Sequence, residues 1–476
     1  MALHLLPDPA PDSPRRSLLL EHFLAITAGW VAVFASRPTF RRALRQALGG
    51  LLALGRRTLT RIICANRGAQ KPWAADYHLH SRAQWEAQAL FDPILKEALP
   101  FCKGNLVGMA LDDTKLHKTG RCIKQAFYQR DPLGPPFHVN LILGLRFLQA
   151  SLLVPGFCGA RRLATRALPV RFEDVSRVKR PGKKASAEEL AAWKVASRKQ
   201  NLSQSGVRAM QSLRLALDRA GGALKTLIMA VDGSFCNKTC FKARLDRTEL
   251  MARCRKDAVI CFRAKDEGRR FYAKEKFCPE DVRRNEAIPW RTITPHYGGK
   301  KRKVRYKEVP GVHWQGGAGK RTLRLIVIAP TPYRKRKSGK LYYRQPAYLL
   351  TTDLKTPASK LIQIYLDRWQ IEVNHREEKD TLGVGQAQLW NEKAVPRQPV
   401  LAVAAYSALL LAGLKAFGVE RGGAYAALPK WRSKRKGRPS CQDLVTLLRH
   451  EAIAHEKLLP EGMSLSAASL VMGAAA

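Results

Sequence analysis

Four side chains of complementary chemistry lie close together in residues 361–379, LIQIYLDRWQIEVNHREEK. Tyr365, Arg368, Glu372 and Lys379 are separated by three, four and seven residues. At about 100° per residue, an α-helix keeps all four within a band roughly 60° wide, and the apolar residues beside that band can anchor the helix in a core. The segment is therefore predicted to be a helix that offers a carboxylate flanked by cations to a cleft, where the cations can bind phosphate groups.

Two apolar segments upstream end in aspartates. Residues 106–111, LVGMAL, precede Asp112 and Asp113, and residues 224–231, LKTLIMAV, precede Asp232. Short apolar runs of this kind are typical of buried strands, and carboxylates at the ends of such strands can hold a metal ion. The alternative is that these aspartates only cap the turns that follow the strands, and that the charged helix is an ordinary solvated surface.

The four-residue pattern, together with the RWQIE phrase that contains Arg368, resembles the signature of bacterial insertion-sequence DDE transposases of the Y-R-E-K group. The resemblance implies that Glu372 is the third metal-binding carboxylate. It also implies that Tyr365, Arg368 and Lys379 contact phosphates near the transposon end.

The same resemblance assigns the two aspartates. The first catalytic Asp of the family directly precedes a threonine, which selects Asp113 and leaves Asp112 to orient a neighbour, and Asp232 is the second. Asp113, Asp232 and Glu372 would then bind two divalent ions roughly 4 Å apart; because the oxygen ligands are hard, Mg²⁺ is expected, with Mn²⁺ able to substitute. The implied function is metal-dependent cleavage and strand transfer at the ends of an insertion sequence, carried out by a homodimer on paired ends.

The implied fold is α/β, with an RNase H-like catalytic domain that is interrupted by a β-rich insertion. By this interpretation, residues 1–104 form a helical, helix-turn-helix-like DNA-binding domain. Residues 105–264 and 349–420 form the two parts of the catalytic domain. Residues 265–348 form the insertion, and residues 421–476 form a basic helical C-terminal region.

Local patterns add three expectations. Residues 246–255 are predicted to be helical, and the polar, basic composition from residue 165 predicts an exposed loop that leads into a helix at about residue 187. Residues 400–417, VLAVAAYSALLLAGLKAF, approach the length of a membrane span. Their Ala-rich composition and Lys415 favour a buried helix that supports the catalytic domain.

The chain has 476 residues and carries 84 Lys and Arg against 38 Asp and Glu, a net charge of +46. A cationic excess of this size predicts a polyanionic partner, for which double-stranded DNA is the leading candidate, and no membrane partner is expected. Ribosomal and membrane-surface proteins can be as basic, but they do not require the carboxylate pattern. The ten cysteines form no CxxC pair, and the absence of a secretory signal pattern predicts reduced, cytosolic thiols. The resemblance implies a bacterial cytoplasm, at the nucleoid.

Three further residues are predicted to contact DNA. Residues 41–54, a glycine turn and residues 56–65 have the outline of a helix-turn-helix, which makes Arg56 and Arg57 candidates; two packed surface helices are the alternative. Trp314 lies in the β-rich segment with the basic turns GGKKRK and YRKRK and could stack on a base. Aromatic residues in small β domains more often belong to the core.

Two other functions fit the same residues. Another RNase H-like nuclease or resolvase would share the chemistry but would lack end-specific strand transfer. A non-enzymatic DNA-binding protein derived from a transposase would keep only the basic surface, although acidic residues at all three catalytic positions argue against decay. Short inverted repeats flanking the gene would favour the transposase.

Overall fold

The protein is described here by a computed structural model, which covers residues 18–66, 72–131, 134, 140–158, 161–264, 270–336, 338–418 and 439–464. Of the predicted basic C-terminal region, residues 421–438 and 465–476 lie outside the described residues. The described chain is a mixed α/β protein in which helices cover a large sheet.

The strands are β1 (Leu106–His117), β2 (Phe127–Arg130), β3 (Leu141–Cys158), β4 (Arg161–Asp174), β5 (Thr226–Val231), β6 (Thr248–Arg253), β7 (Ile260–Arg263), β8 (Tyr272–Phe277), β9 (Arg291–Ile293), β10 (His296–Tyr297), β11 (Lys300–Lys301), β12 (Val304–His313), β13 (Thr322–Ile328), β14 (Pro332–Arg334), β15 (Leu341–Tyr343) and β16 (Ala347–Thr351).

The α-helices are α1 (Leu19–Ala28), α2 (Arg37–Leu52), α3 (Leu59–Ala65), α4 (Ala74–Ser81), α5 (Phe91–Ala98), α6 (Ala187–Lys199), α7 (Leu202–Leu217), α8 (Lys238–Lys242), α9 (Pro279–Arg284), α10 (Gln315–Ala318), α11 (Ala358–Asp367), α12 (Gln370–Arg376), α13 (Ala394–Phe417) and α14 (Cys441–Ala454).

The main sheet has the strand order β2-β3-β1-β5-β6-β16-β13-β12-β7-β8, with β4 paired to β3 and β9 paired to β12. β1, β3 and β4 are antiparallel neighbours, whereas β1, β5 and β6 run parallel. Parallel strands need crossover connections, and helices α6 and α7 lie in the connection to β5 while α8 lies in the connection to β6. Residues 106–111 of β1 pair with β5, so β5 ends beside the middle of β1, which continues to His117.

Different helices cover the two faces of β1. Successive side chains of a strand point to opposite faces. On one face, a Cβ at Gly108 would lie 3.2 Å from Ile364 of α11, and Ala110 clusters with Ile371 of α12. On the other face, Leu111 lies against Gly206 of α7, where a Cβ would be 3.7 Å away. The apolar runs of β1 and β5 are buried because both faces of the sheet are covered here.

The N-terminal helices share a core with the rest of the molecule. One cluster of buried apolar side chains includes residues of α1, α2, α5, α13 and the central strands. Helix α13 is, within the described residues, the one helix long and apolar enough to cross a membrane, and 78% of its apolar window is buried in the protein. The prediction of a buried supporting helix is therefore confirmed, and the predicted boundary at residue 104 does not separate two hydrophobic cores.

Two local predictions are wrong. Residues 246–255, predicted to be helical, contain strand β6, because pairing with β5 on one side and β16 on the other outweighs a weak helix preference. The loop predicted from residue 165 lies partly in strand β4, which pairs with β3. Pro169 is tolerated there because β4 bonds only β3 in the main sheet and the pairing register shifts beside this proline.

The segment between β7 and α11 is β-rich, as predicted, but it continues the central sheet. Strand β16 pairs with β6, β13 with β16, and β12 with β13. The strands of the predicted insertion therefore extend the sheet that carries β1 and β5.

The predicted helix over residues 361–379 forms in three pieces. Helix α11 ends at Asp367, a turn at Arg368 and Trp369 leads into α12, and residues 377–381 form a π-helical turn. The backbone N–H of Leu382 donates to the carbonyl of Glu377 at 3.0 Å, five residues back. Widened turns of this kind are frequent at functional sites.

Candidate active site

Asp112 and Asp232 lie on neighbouring strands, Asp112 within β1 and Asp232 directly after the end of β5. Leu111 of β1 pairs in register with Val231 of β5, so the next residue on each strand is an aspartate. Burial, and after it the charge of Asp232, raises the pKa of Asp112 to about 7, against the lowering effect of Arg368. A buried carboxyl group whose pKa is raised by a neighbouring acid is typical of a functional site.

Glu372 faces the same region from α12. Burial raises the pKa of its half-buried carboxyl group, Arg368 lowers it, and the charge of Asp232 raises it. Burial likewise raises the pKa of the Tyr365 phenol, which lies within the electrostatic influence of Arg368, Glu372 and Asp232. The structure therefore brings Tyr365, Arg368, Glu372 and Asp232 together, as the sequence predicts.

Asp113, the predicted first catalytic aspartate, is held by an arginine. Its Oδ2 atom lies 2.7 Å from Nε of Arg146 on β3, and its backbone N–H donates to Oδ1 of Asp112 at 2.8 Å. Because side chains alternate along β1, Asp112 shares a face with Gly108 and Ala110, the face covered by α11 and α12, whereas Asp113 points the other way. The arrangement favours Asp112 over Asp113, the residue chosen from the sequence, as the partner of Asp232 and Glu372.

Arg368 lies between two carboxylates. Its Nη1 atom is 3.7 Å from Oδ2 of Asp112, and its Nη2 atom is 3.5 Å from Oε1 of Glu372. The side chain is 13% exposed, and its Nε atom is buried without a hydrogen-bond partner. The guanidinium is therefore the internal counter-ion of these acids.

The donor chemistry suits a divalent cation, since Asp112, Asp232 and Glu372 offer hard oxygen ligands. Within the described part of the chain, no group of three or more His, Cys, Asp or Glu side chains lies close enough to bind one ion together. Arg368 lies between two of the three acids. A metal ion that used all three would require a change in the position of the guanidinium.

A buried polar network fixes α12 beneath the site, and no pattern in the sequence indicates it. The side-chain amide of Asn374 donates to the Tyr406 hydroxyl at 2.9 Å and to the carbonyl of Ala167 at 3.1 Å. Ser151 donates to the amide oxygen of Asn374 at 3.0 Å, and the Tyr406 hydroxyl donates to Glu377. These bonds join α12 to strands β3 and β4 and to helix α13.

Lys379 reaches the acidic residues from the π-helical turn. Burial lowers the pKa of its ammonium group, and the charges of four acids, including Asp112 and Asp113, raise it. The neighbouring Glu378 is fully buried, and burial raises its pKa to about 8. Lys379 also lines a cavity of about 920 Å³ beside the site.

The predicted DNA contacts Arg56 and Arg57 differ in their exposure to solvent. Arg56 is exposed and lines the same cavity as Lys379. Arg57 is buried, with Nε bonded to the carbonyl of Gly50 at 3.2 Å, and burial lowers its pKa to about 10. Its prediction as a DNA contact conflicts with this placement, since the guanidinium holds the turn between α2 and α3.

Trp314 packs inside the protein. Its ring lies edge-on to Phe241 at 5.6 Å between centroids, and a Cβ at Gly317 would collide with it at 2.2 Å. The tryptophan is partly buried against the main core. This placement agrees with the alternative that the ring is a core residue, and it disfavours a stacking role.

Comparison with protein-family models and with curated proteins finds no match for this chain.

Proposed function

We propose that the protein is a DDE-type DNA transposase that cuts and joins strands at the ends of an insertion sequence. The observation that carries the proposal is the closeness of both Asp112 and Glu372 to Asp232, where β5 ends beside β1, with the cations Arg368 and Lys379 near them. Such a combination of hard ligands and phosphate-binding cations suits phosphodiester chemistry.

The topology supports an RNase H-like catalytic domain. Three antiparallel strands, β4, β3 and β1, are followed across the sheet by β5 and β6, which run parallel to β1. Because β1 and β5 are adjacent and parallel in this order, Asp112 and Asp232 lie close together. Glu372 lies on α12, which follows in the chain after the strands that extend the sheet.

Each residue has a role in the proposed mechanism. Asp112, Asp232 and Glu372 would hold two divalent ions, Mg²⁺ or Mn²⁺, which would supply activation of the attacking water or 3′-hydroxyl and neutralisation of the leaving oxygen. Arg368 and Lys379 would bind phosphates near the scissile bond, and Tyr365 would position one of them. Asp113 would act through its ion pair with Arg146.

The net charge of +46 supports double-stranded DNA as the partner. Because an element has two ends, we expect two chains to act as a homodimer on the paired ends. We place this reaction in the bacterial cytoplasm, at the nucleoid. Another RNase H-like nuclease remains the second candidate, because the same site would serve hydrolysis alone.

The test is an excision and joining assay. A donor plasmid that carries the gene's own flanking DNA is incubated with protein, Mg²⁺ and a target plasmid, and products are sequenced. The proposal predicts excision at short inverted repeats and joining to the target, both lost in Asp232→Asn. Cleavage without joining would favour the nuclease. If the folded protein carries out neither reaction, both candidate functions are rejected.

A further inference from the structure

A cavity of about 920 Å³ lies directly beside the candidate active site. Its walls come from the end of β1 and the turn after it, residues 115–123, and from residues 384–390, with Arg56 and Lys379 between them. Lys379 also lies within the electrostatic influence of Asp112. The cavity and the carboxylates therefore lie close together, with Lys379 between them.

The cavity is lined by positive charge. Its described lining residues include Arg56, Lys115, Lys118, Arg121 and Lys379, and none of them is Asp or Glu. Lys118 is partly buried, and burial and the charge of Arg56 lower its pKa to about 8. Cations that crowd one another in this way are stabilised when an anion binds between them.

An aromatic side chain completes the cavity. Trp390 is 79% exposed although it is one of the largest apolar side chains in the protein. It lines the cavity together with Gln388, whose φ of +56° is unusual for a residue other than glycine. An exposed indole beside several cations is the combination that binds single-stranded nucleic acid, because a base stacks on the ring and phosphates bind the cations.

The size of the cavity decides which form of DNA it can hold. Its volume lies within the range of about 300–1,000 Å³ that is typical of small-ligand sites, which cannot enclose a duplex. We propose that this cavity binds a short unpaired stretch of DNA strand that extends from the catalytic centre, with a base stacked on Trp390 and phosphates bound by Lys118 and Arg121. The inference rests on the proposed function, since it takes DNA to be the substrate.

The test compares two labelled duplexes that differ only in one short single-stranded extension containing the fluorescent base 2-aminopurine. Binding is measured with Ca²⁺ in place of Mg²⁺, so that strands stay intact. The wild-type protein should bind the extended duplex about tenfold more tightly than the blunt one and should quench 2-aminopurine by stacking. Extensions with 5′ and 3′ polarity are tested separately to define which strand enters.

Variants make the test specific. Trp390→Ala should lose the preference and the quenching while its affinity for the blunt duplex is kept, and Trp390→Phe should restore both. Arg121→Gln should reduce the preference. Lys194→Gln, which removes one exposed charge from α6 outside the cavity, should leave it unchanged. Circular dichroism confirms that each variant is folded.

Equal affinity of the wild-type protein for both duplexes would overturn the inference, as would quenching that survives in Trp390→Ala. If the protein cleaves DNA with Mg²⁺ but shows no preference for the extension, this inference fails and the proposed function stands. If it binds neither duplex, both fail.

Discussion

At the scale of the residue, two adjacent aspartates take different roles. Asp112 and Asp113 have the same side chain, but β1 turns one toward α11 and α12 and the other toward Arg146. Small residues at positions 108 and 110 mark the face on which a helix approaches closely, because a Cβ at Gly108 would lie 3.2 Å from Ile364 and Ala110 clusters with Ile371. That alternation is the signal in the sequence that could have selected Asp112.

The first prediction separates these aspartates. Asp112→Asn should lower the rate of Mg²⁺-dependent strand cleavage by a hundredfold or more, roughly, because a neutral amide binds the ion poorly. Asp113→Asn should mainly destabilise the fold, by about 1–3 kcal/mol, since it leaves Arg146 without its ion pair. Cleavage rates and urea unfolding of both variants decide the matter. A reversed pattern, with Asp113→Asn inactive but stable, would restore the choice of Asp113.

A second prediction concerns Arg368. Since its guanidinium lies between Asp112 and Glu372, it competes with a divalent cation for the same carboxylates. Arg368→Gln should therefore bind Mn²⁺ more tightly than the wild-type protein in the absence of DNA. Titration followed by electron paramagnetic resonance measures free Mn²⁺ directly. Weaker or unchanged affinity would show that the arginine does not compete with the metal ion.

At the scale of the element, the sequence predicted the helix over residues 361–379 but not its breaks. The piece between these breaks, α12, is held by contacts to distant strands and to α13, such as the bonds of Asn374 to Ala167 and Tyr406. Helical periodicity contains no information about such partners. The helix prediction over residues 246–255 failed for the same reason, because β6 forms by pairing with β5 and β16 and the local sequence does not show these partners.

The third prediction concerns Glu378 in the π-helical turn. Burial raises its pKa to about 8, so the folded protein keeps a proton that the unfolded chain loses above about pH 4.5. Stability from this group is therefore complete below pH 4.5 and falls as the pH rises to 8. Glu378→Gln mimics the protonated form and should become progressively more stable relative to wild type between pH 5 and 8. Thermal unfolding of both proteins across this range measures the difference, and a constant difference would show that Glu378 is ionised.

At the scale of the whole molecule, one sheet carries both the candidate site and the strands predicted to be an insertion. The α/β class, the positions of β1 and β5 and the buried helix α13 could be predicted, because short apolar runs and an Ala-rich segment indicate burial wherever they pack. The pairing of β16 with β6 could not, since pairing between segments about a hundred residues apart leaves no local pattern.

The fourth prediction follows from the net charge of +46. Binding to duplex DNA releases counterions, so the affinity should fall steeply as salt rises, in a linear relation between the logarithms of affinity and salt concentration. Fluorescence anisotropy between low and physiological salt gives the slope. A nearly flat line would contradict an extended basic interface.

The most direct test of the account is the behaviour of Glu372→Gln. The substitution keeps the shape of the side chain and removes the charge that would hold a divalent ion, while Arg368 and Lys379 stay able to bind phosphate. Cleavage of the element's own end is measured with Mg²⁺, and affinity for that end is measured by gel shift with Ca²⁺. The account predicts that cleavage falls by orders of magnitude, because several kcal/mol of transition-state stabilisation are lost, with affinity unchanged or slightly higher. Cleavage by Glu372→Gln at close to the wild-type rate would contradict it and would make α12 an ordinary charged helix.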